Sequence, residues 1–249
     1  EVEQVLTWNL ASDPKTLDPG LNAASDGGHI INNTFEGLMR EVDGELQPAM
    51  AESYDVSEDQ TTYTFHIRDN VKWSDGEPVT ANDFEYAWSR VLDPETASEY
   101  SWIFDEANVK DFEAKDEKTF VVNLKAPTPW FISLTTFYTF FPVRKDMVEA
   151  KADGLWAKDG DLAVSNGPFK LTEYENSSHI TLKPNENYWR KDEVKLERID
   201  VKMILESSTA LTAYQNGEID INPSTGIPSS EIPRLIAEDP TFHIFPMLG

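Results

Sequence analysis

Apolar positions recur along the chain with two periods, and these periods sketch its elements. Val5, Leu6 and Trp8 open a short strand-like segment. Ser12-Asp13-Pro14-Lys15 and Asp18-Pro19-Gly20 then break it, because Pro and Gly mark turns. His29 to Met39 reads as a helix with Ile30, Ile31, Phe35 and Leu38 roughly on one face. Tyr63, Phe65 and Ile67 alternate with Thr62, Thr64 and His66, which predicts a strand with one buried face and His66 turned outward. Thr80 to Leu92 gives the clearest helix. Phe84, Ala87, Trp88, Val91 and Leu92 fall at i, i+3, i+4, i+7 and i+8 on one stripe. Thr80 stands as its N-cap with Asp83 three residues on, and Asp93-Pro94 stops it.

Phe120, Val122 and Leu124 alternate as a strand, Ala126-Pro127-Thr128-Pro129 is a loop, and Lys145 to Ala152 is a short helix. Phe169 and Leu171, then Ile180 and Leu182, form a hairpin around Glu175-Asn176-Ser177-Ser178. Ile199, Val201, Met203 and Leu205 predict another strand. A helix follows, capped by Ser207 or Ser208 and ended by Gly217. Ile219 and Ile221 start one more strand, and Ser229 or Ser230 caps a last helix carrying Ile232, Leu235 and Ile236. The mixture of strands and helices places the chain in the α/β or mixed α+β class.

Composition narrows the partners. The chain has 249 residues, 45 of them acidic and 21 basic, for a net charge of −24. A phosphate backbone or an anionic membrane surface repels such a chain, so neither nucleic acid nor membrane is an expected partner. With 39% hydrophobic and 11% aromatic residues it builds a core despite the charge. Its length predicts one large or two ordinary domains. The absence of cysteine removes disulfides, Cys-based zinc sites and thiol nucleophiles together. The longest uncharged apolar stretch, Trp130 to Val143, is too short to span a bilayer. Glu1-Val2-Glu3-Gln4 lacks the features of a signal peptide, so the protein is either cytosolic or has had a leader removed.

Catalytic chemistry finds no support. Asp159 with Asp161, or Asp105 with Glu106, could be read as glycosidase pairs, but with so many acids they read first as solvated surface carboxylates. His29, His66, His179 and His243 lack zinc-site spacing, and no nucleophile elbow, phosphate loop or dinucleotide fingerprint is present. No catalytic residue, metal site or cofactor is expected. Aromatic residues are the positive signal. The stretch from Trp130 to Phe141 is denser in rings than one strand or helix needs. It reads as a buried connection, or as a segment part of which lines a ligand cleft.

The run Val71 to Arg90, with Lys72-Trp73-Ser74-Asp75-Gly76-Glu77-Pro78-Val79-Thr80-Ala81 at its centre, strongly resembles the signature of extracellular solute-binding family 5. This family holds the oligopeptide- and dipeptide-binding proteins of bacterial ABC importers. Further motifs follow in family order: Leu17-Asp18-Pro19, Phe35-Glu36-Gly37-Leu38, Pro48 to Tyr54, Ser165-Asn166-Gly167-Pro168-Phe169, Asn187-Tyr188-Trp189, Ile199-Asp200-Val201 and Asn216 to Ile221. The segment from Asp93-Pro94 to Ser98 looks most like the oligopeptide branch.

The resemblance implies a periplasmic-binding-protein-like lobe of residues 1–35 and 155–249, a smaller α/β domain inserted at 36–154, and the family's second large lobe absent. The chain has about half the family's usual length, which reads as an N-terminal portion or a proteolytic fragment rather than a short gene. The implied function is capture of extracellular oligopeptides and their delivery to an ABC permease. Alternatives are a peptide-pheromone receptor, an adhesin-like protein of the same fold, or, least favoured, a hydrolase. Implied locations are the cell exterior or periplasm, with a lipid anchor upstream of residue 1 as the membrane link. Ala23, Ala24 and Ser25 would offer extended, unpaired backbone to the peptide. Tyr100, Asn166 and Met247 would face the cleft.

Overall fold

In chain order the strands are β1 (Val5–Asn9), β2 (Met39–Val42), β3 (Glu45–Pro48), β4 (Ala51–Val56), β5 (Thr62–Ile67), β6 (Val109–Asp116), β7 (Thr119–Leu124), β8 (Phe169–Glu175), β9 (His179–Pro184) and β10 (Arg198–Lys202). The helices are α1 (Ser25–Thr34), α2 (Ala81–Leu92), α3 (Ile103–Glu106), α4 (Phe131–Leu134), α5 (Lys145–Ala150), α6 (Ser207–Gln215) and α7 (Ile232–Glu238). These come from a computed structural model that describes residues 3–151 and 154–244.

Two four-stranded sheets organise the described residues. The first has the order β1-β10-β9-β8, with β1 parallel to β10 and the other pairs antiparallel. Its inward positions Ile180, Leu182, Ile199 and Val201 are buried, while Thr181, Asp200 and Lys183 turn to the other face. The second sheet, β4-β5-β7-β6, is antiparallel throughout, and β2 and β3 form a separate hairpin.

Helix α2 covers the second sheet with the stripe read from the sequence. Trp88 meets Phe112 of β6 and Phe120 of β7 at ring-centroid distances of 5.3 and 4.9 Å. Its indole N–H donates to the Phe140 carbonyl at 2.9 Å. At the helix start the Asp83 carboxylate accepts the Thr80 backbone N–H at 2.8 Å and the Thr80 hydroxyl at 3.1 Å, so an orphan donor is satisfied.

Several expectations shift. The first helix begins at Ser25 and ends at Thr34, because Phe35 is already extended; Phe35 and Leu38 are buried from the loop beyond it. Gly27, in the first turn of that helix, packs so closely on the Asn22 side chain and the Thr16 carbonyl that a Cβ would clash there. The strand read through Leu205 stops at Lys202, and Leu205 is exposed. Around Ile219 and Ile221 there is no strand, only a parallel bridge from Ile221 to Trp8. The caps of α6 and α7 are Glu206 and Glu231, not the neighbouring serines. The Glu206 carboxylate reaches Ser208 and Thr209 and is drawn down to about 2 by the Ser208 hydroxyl and those amides. Gly217 does follow the C-cap with a positive φ of 74°. Leu92, at the end of its stripe, is exposed.

Candidate functional site

The segment between β1 and α1 is fixed at one point by a buried carboxylate. Asp18 accepts two hydrogen bonds from the Arg90 guanidinium of α2, at 2.9 and 2.7 Å, and one from the Trp156 indole at 2.9 Å. It also accepts the Gly20 N–H at 3.0 Å. Asp18 is fully buried, so these donors replace the water it has lost. Leu17-Asp18-Pro19 thereby pins the loop to α2 and to the turn Leu155–Lys158.

The pinned loop presents Ala23 and Ala24. Ala24 is extended, with φ −128° and ψ 150°, and exposed. Among the described residues neither Ala23 nor the Ala24 N–H makes a backbone hydrogen bond. The carry-over is corrected at its far end. The Ala24 carbonyl accepts from the Asn22 amide and from Gly28 N–H, and Ser25 is the first residue of α1, not extended chain. The free edge is therefore two residues long.

Rings stand beside that edge. Tyr138 packs over Gly28, with Cε1 at 3.0 Å from where a Cβ would lie. Burial, with Tyr100 alongside, pushes the Tyr138 phenol up to about 12, against a hydrogen bond with Asn22 that lowers it. Tyr100 is half-buried, its ring centroid 6.3 Å from Tyr138 and 5.4 Å from Phe137. Asp26, in the first turn of α1, accepts the Ser12 hydroxyl at 2.7 Å and the Gly27 N–H at 2.6 Å.

Asn166 does not face a cleft. It is fully buried, its Oδ1 accepts the Glu36 N–H at 3.1 Å, and its Nδ2 donates to the Glu36 carbonyl at 2.8 Å. It staples the turn before β8 to residue 36. Gly167 beside it touches Thr34 so closely that a Cβ would lie 2.6 Å from the Thr34 carbonyl carbon. Met247 lies outside the described residues.

The carboxylate pairs sit on the surface. Asp159 pairs with Lys151 at 3.0 Å, which holds it below the usual range, and Asp105 pairs with Lys125 at 2.9 Å. Among the described residues no cluster of His, Asp or Glu is placed to hold a metal ion, and no helix is long and apolar enough to cross a membrane.

Sequence reasoning missed Asn22, Phe137 and Tyr138 as individual site residues. The ring-dense stretch from Trp130 to Phe141 was the signal for the last two. In it Phe131, Phe140 and Phe141 are buried, and Tyr138, buried too, packs against Gly28 of α1 with the half-buried Phe137 beside it.

Comparison with known proteins places this arrangement. The family described as bacterial extracellular solute-binding proteins, family 5 Middle, matches residues 45–242. The chain is 42% identical to the oligopeptide-binding protein OppA of Bacillus subtilis, covering 98% of this chain and 47% of that protein. It is 36% identical to the dipeptide-binding protein DppE of the same organism, over 95% of this chain and 45% of the relative. Among solved structures, Haemophilus influenzae OppA in complex with RPPGFSPFR superposes with a TM-score of 0.90 at 31% identity, covering 97% of this chain and 50% of that one. The Escherichia coli murein tripeptide binding protein MppA also gives 0.90, at 31% identity, over 97% and 49%. The chain thus spans about half the length of the curated relatives it matches.

Proposed function

The chain belongs to the family 5 bacterial extracellular solute-binding proteins, and from that membership we propose that it captures oligopeptides outside the cell for delivery to an ABC permease. The family's members bind substrates and are not enzymes. The observation that carries the reading is the backbone left open at Ala23 and at the N–H of the extended Ala24, beside the rings of Tyr100 and Tyr138. An extended peptide laid on that edge gains main-chain hydrogen bonds that do not depend on its sequence.

In this reading residues 1–35 and 155–249 form the ligand-facing lobe and 36–154 an inserted domain. The Asp18–Arg90 pair ties α2 of that insertion to the loop that meets the ligand. The permease contacts the peptide-loaded protein, and a lipid upstream of residue 1 holds it at the membrane.

Native mass spectrometry of the protein purified from its host tests the proposal. Co-purifying peptides of mixed sequence are the expected result. A single defined peptide would replace nutrient capture with signalling, and turnover of a substrate without a bound peptide would overturn the binding role altogether.

A further inference from the structure

The tryptophans divide by environment. Trp73, Trp88 and Trp156 are fully buried, and each donates its indole N–H within the protein. Trp130 is 54% exposed, yet its N–H is given to the Glu106 carbonyl. Trp102 is 55% exposed, and its indole N–H has no acceptor among the described residues. Trp102 thus presents a rigid ring and a water-facing N–H donor that a ligand can take up without breaking a bond within the protein.

Trp102 is also joined to the candidate site. Its ring meets Tyr100 edge-on at 6.3 Å. Tyr100 in turn meets Phe137, which packs against Tyr138 at a centroid distance of 4.2 Å. Tyr138 reaches Asn22, the residue before Ala23. The rings therefore make one continuous surface from the free backbone edge outward to Trp102. Ring-to-ring packing fixes Phe137 and Tyr100, so little side-chain freedom is left to lose when a ligand arrives.

The ring edges and faces on this surface suit a flat apolar ring. Of the carboxylates flanking this surface, Asp26 is engaged by Ser12 and Gly27, Glu99 by Lys15 at 3.7 Å, and Asp105 by Lys125. The surface offers faces and edges of aromatic rings and one N–H donor.

We propose that Phe137, Tyr100 and Trp102 form a side-chain subsite that selects a peptide residue bearing a flat apolar ring, such as Phe, Tyr, Trp or Pro. The inference rests on the peptide-capture reading and adds to it a preference. Edge-to-face contact with two or three rings is the source of that preference, and the Trp102 N–H donates to a peptide carbonyl.

NMR on the 249-residue chain with labelled tryptophan indoles tests this, because it reads weak binding and Trp102 directly. Trialanine is titrated against its three single-Phe versions, and Trp102→Phe identifies the signal. One Phe peptide should bind about fivefold tighter than trialanine and shift the Trp102 indole N–H. Trp102→Ala and Phe137→Ala should each shrink that ratio at least threefold, with unchanged circular dichroism. Peptides that bind without ring preference, or that leave the Trp102 signal in place, overturn the subsite while leaving peptide capture standing. A preference for a single-Arg peptide overturns the ring assignment. If no peptide moves any indole signal at tens of millimolar, the subsite falls, while capture stands or falls on the peptides that co-purify with the native protein.

Discussion

At Trp88 four neighbouring rings and one hydrogen bond meet. Phe104 and Phe140 close on it from one side, Phe112 and Phe120 from the sheet. Trp88→Ala should therefore cost about 3–5 kcal/mol and lower the thermal midpoint markedly; a melt that matches the parent would remove Trp88 from the core. Its place was legible because a helical stripe names the inward side. The same stripe misplaced Leu92, since periodicity does not say how far the partner surface extends. Asn166 failed differently. Its partner Glu36 is 130 residues away, and polarity alone cannot tell a ligand from a distant backbone.

Glu36 itself carries a pH signature. Its buried carboxylate accepts from Tyr188 Oη at 2.9 Å and Trp189 Nε1 at 2.7 Å, with Arg40 at 3.9 Å. Arg68 and Arg190 stack on the Trp189 ring. Burial outweighs these partners and raises the carboxyl above its ordinary 4.5. A raised carboxyl contributes stability that is complete below the ordinary value and is lost as pH climbs through the folded one. Glu36→Gln should flatten that loss. Denaturant unfolding of parent and variant from acid to neutral pH should show the two curves diverging upward from pH 4.5, with the parent falling.

Among the elements, α2 shows how local signals and packing agree. Thr80→Ala removes the hydroxyl that Asp83 accepts and should cost about 1 kcal/mol, seen as a lower unfolding midpoint with the same denaturant slope. The strands β5, β9 and β10 could be read from the sequence because each buries one clean face, and β7 because its alternating Phe120, Val122 and Leu124 are buried, although Val121 between them is buried as well. The strands that were not read, β2, β3, β4 and β6, are mostly exposed. With little apolar contrast, their pairing is decided by the neighbouring strand and not by their own pattern. The helix caps illustrate the same limit. Glu206 outcompetes two serines because its longer side chain spans back to both Ser208 and Thr209.

For the molecule as a whole, these residues give the proposed peptide site one wall. A peptide on the Ala23–Ala24 edge of this chain keeps its far side in water, while it still loses translational freedom and becomes ordered. Its affinity for the 249-residue chain should be on the order of −4 kcal/mol, which is millimolar. Calorimetric titration with mixed tri- to pentapeptides checks this, and micromolar binding would mean that these residues carry the whole site. The pairing of β1 with β10 has a consequence for how the protein is made. Val5 is paired with Arg198, so β1 has no sheet partner until β10 is complete. At typical synthesis rates that wait is about 10–40 s. The sheet of β4 to β7, drawn from residues 51–124, closes meanwhile. Protease pulses during translation should find that middle region resistant first and the N-terminal strand cut until β10 appears. From the synthesis of β1 to that of β10, the loop that follows β1 is unanchored at that end and open to the holding chaperones that keep chains unfolded.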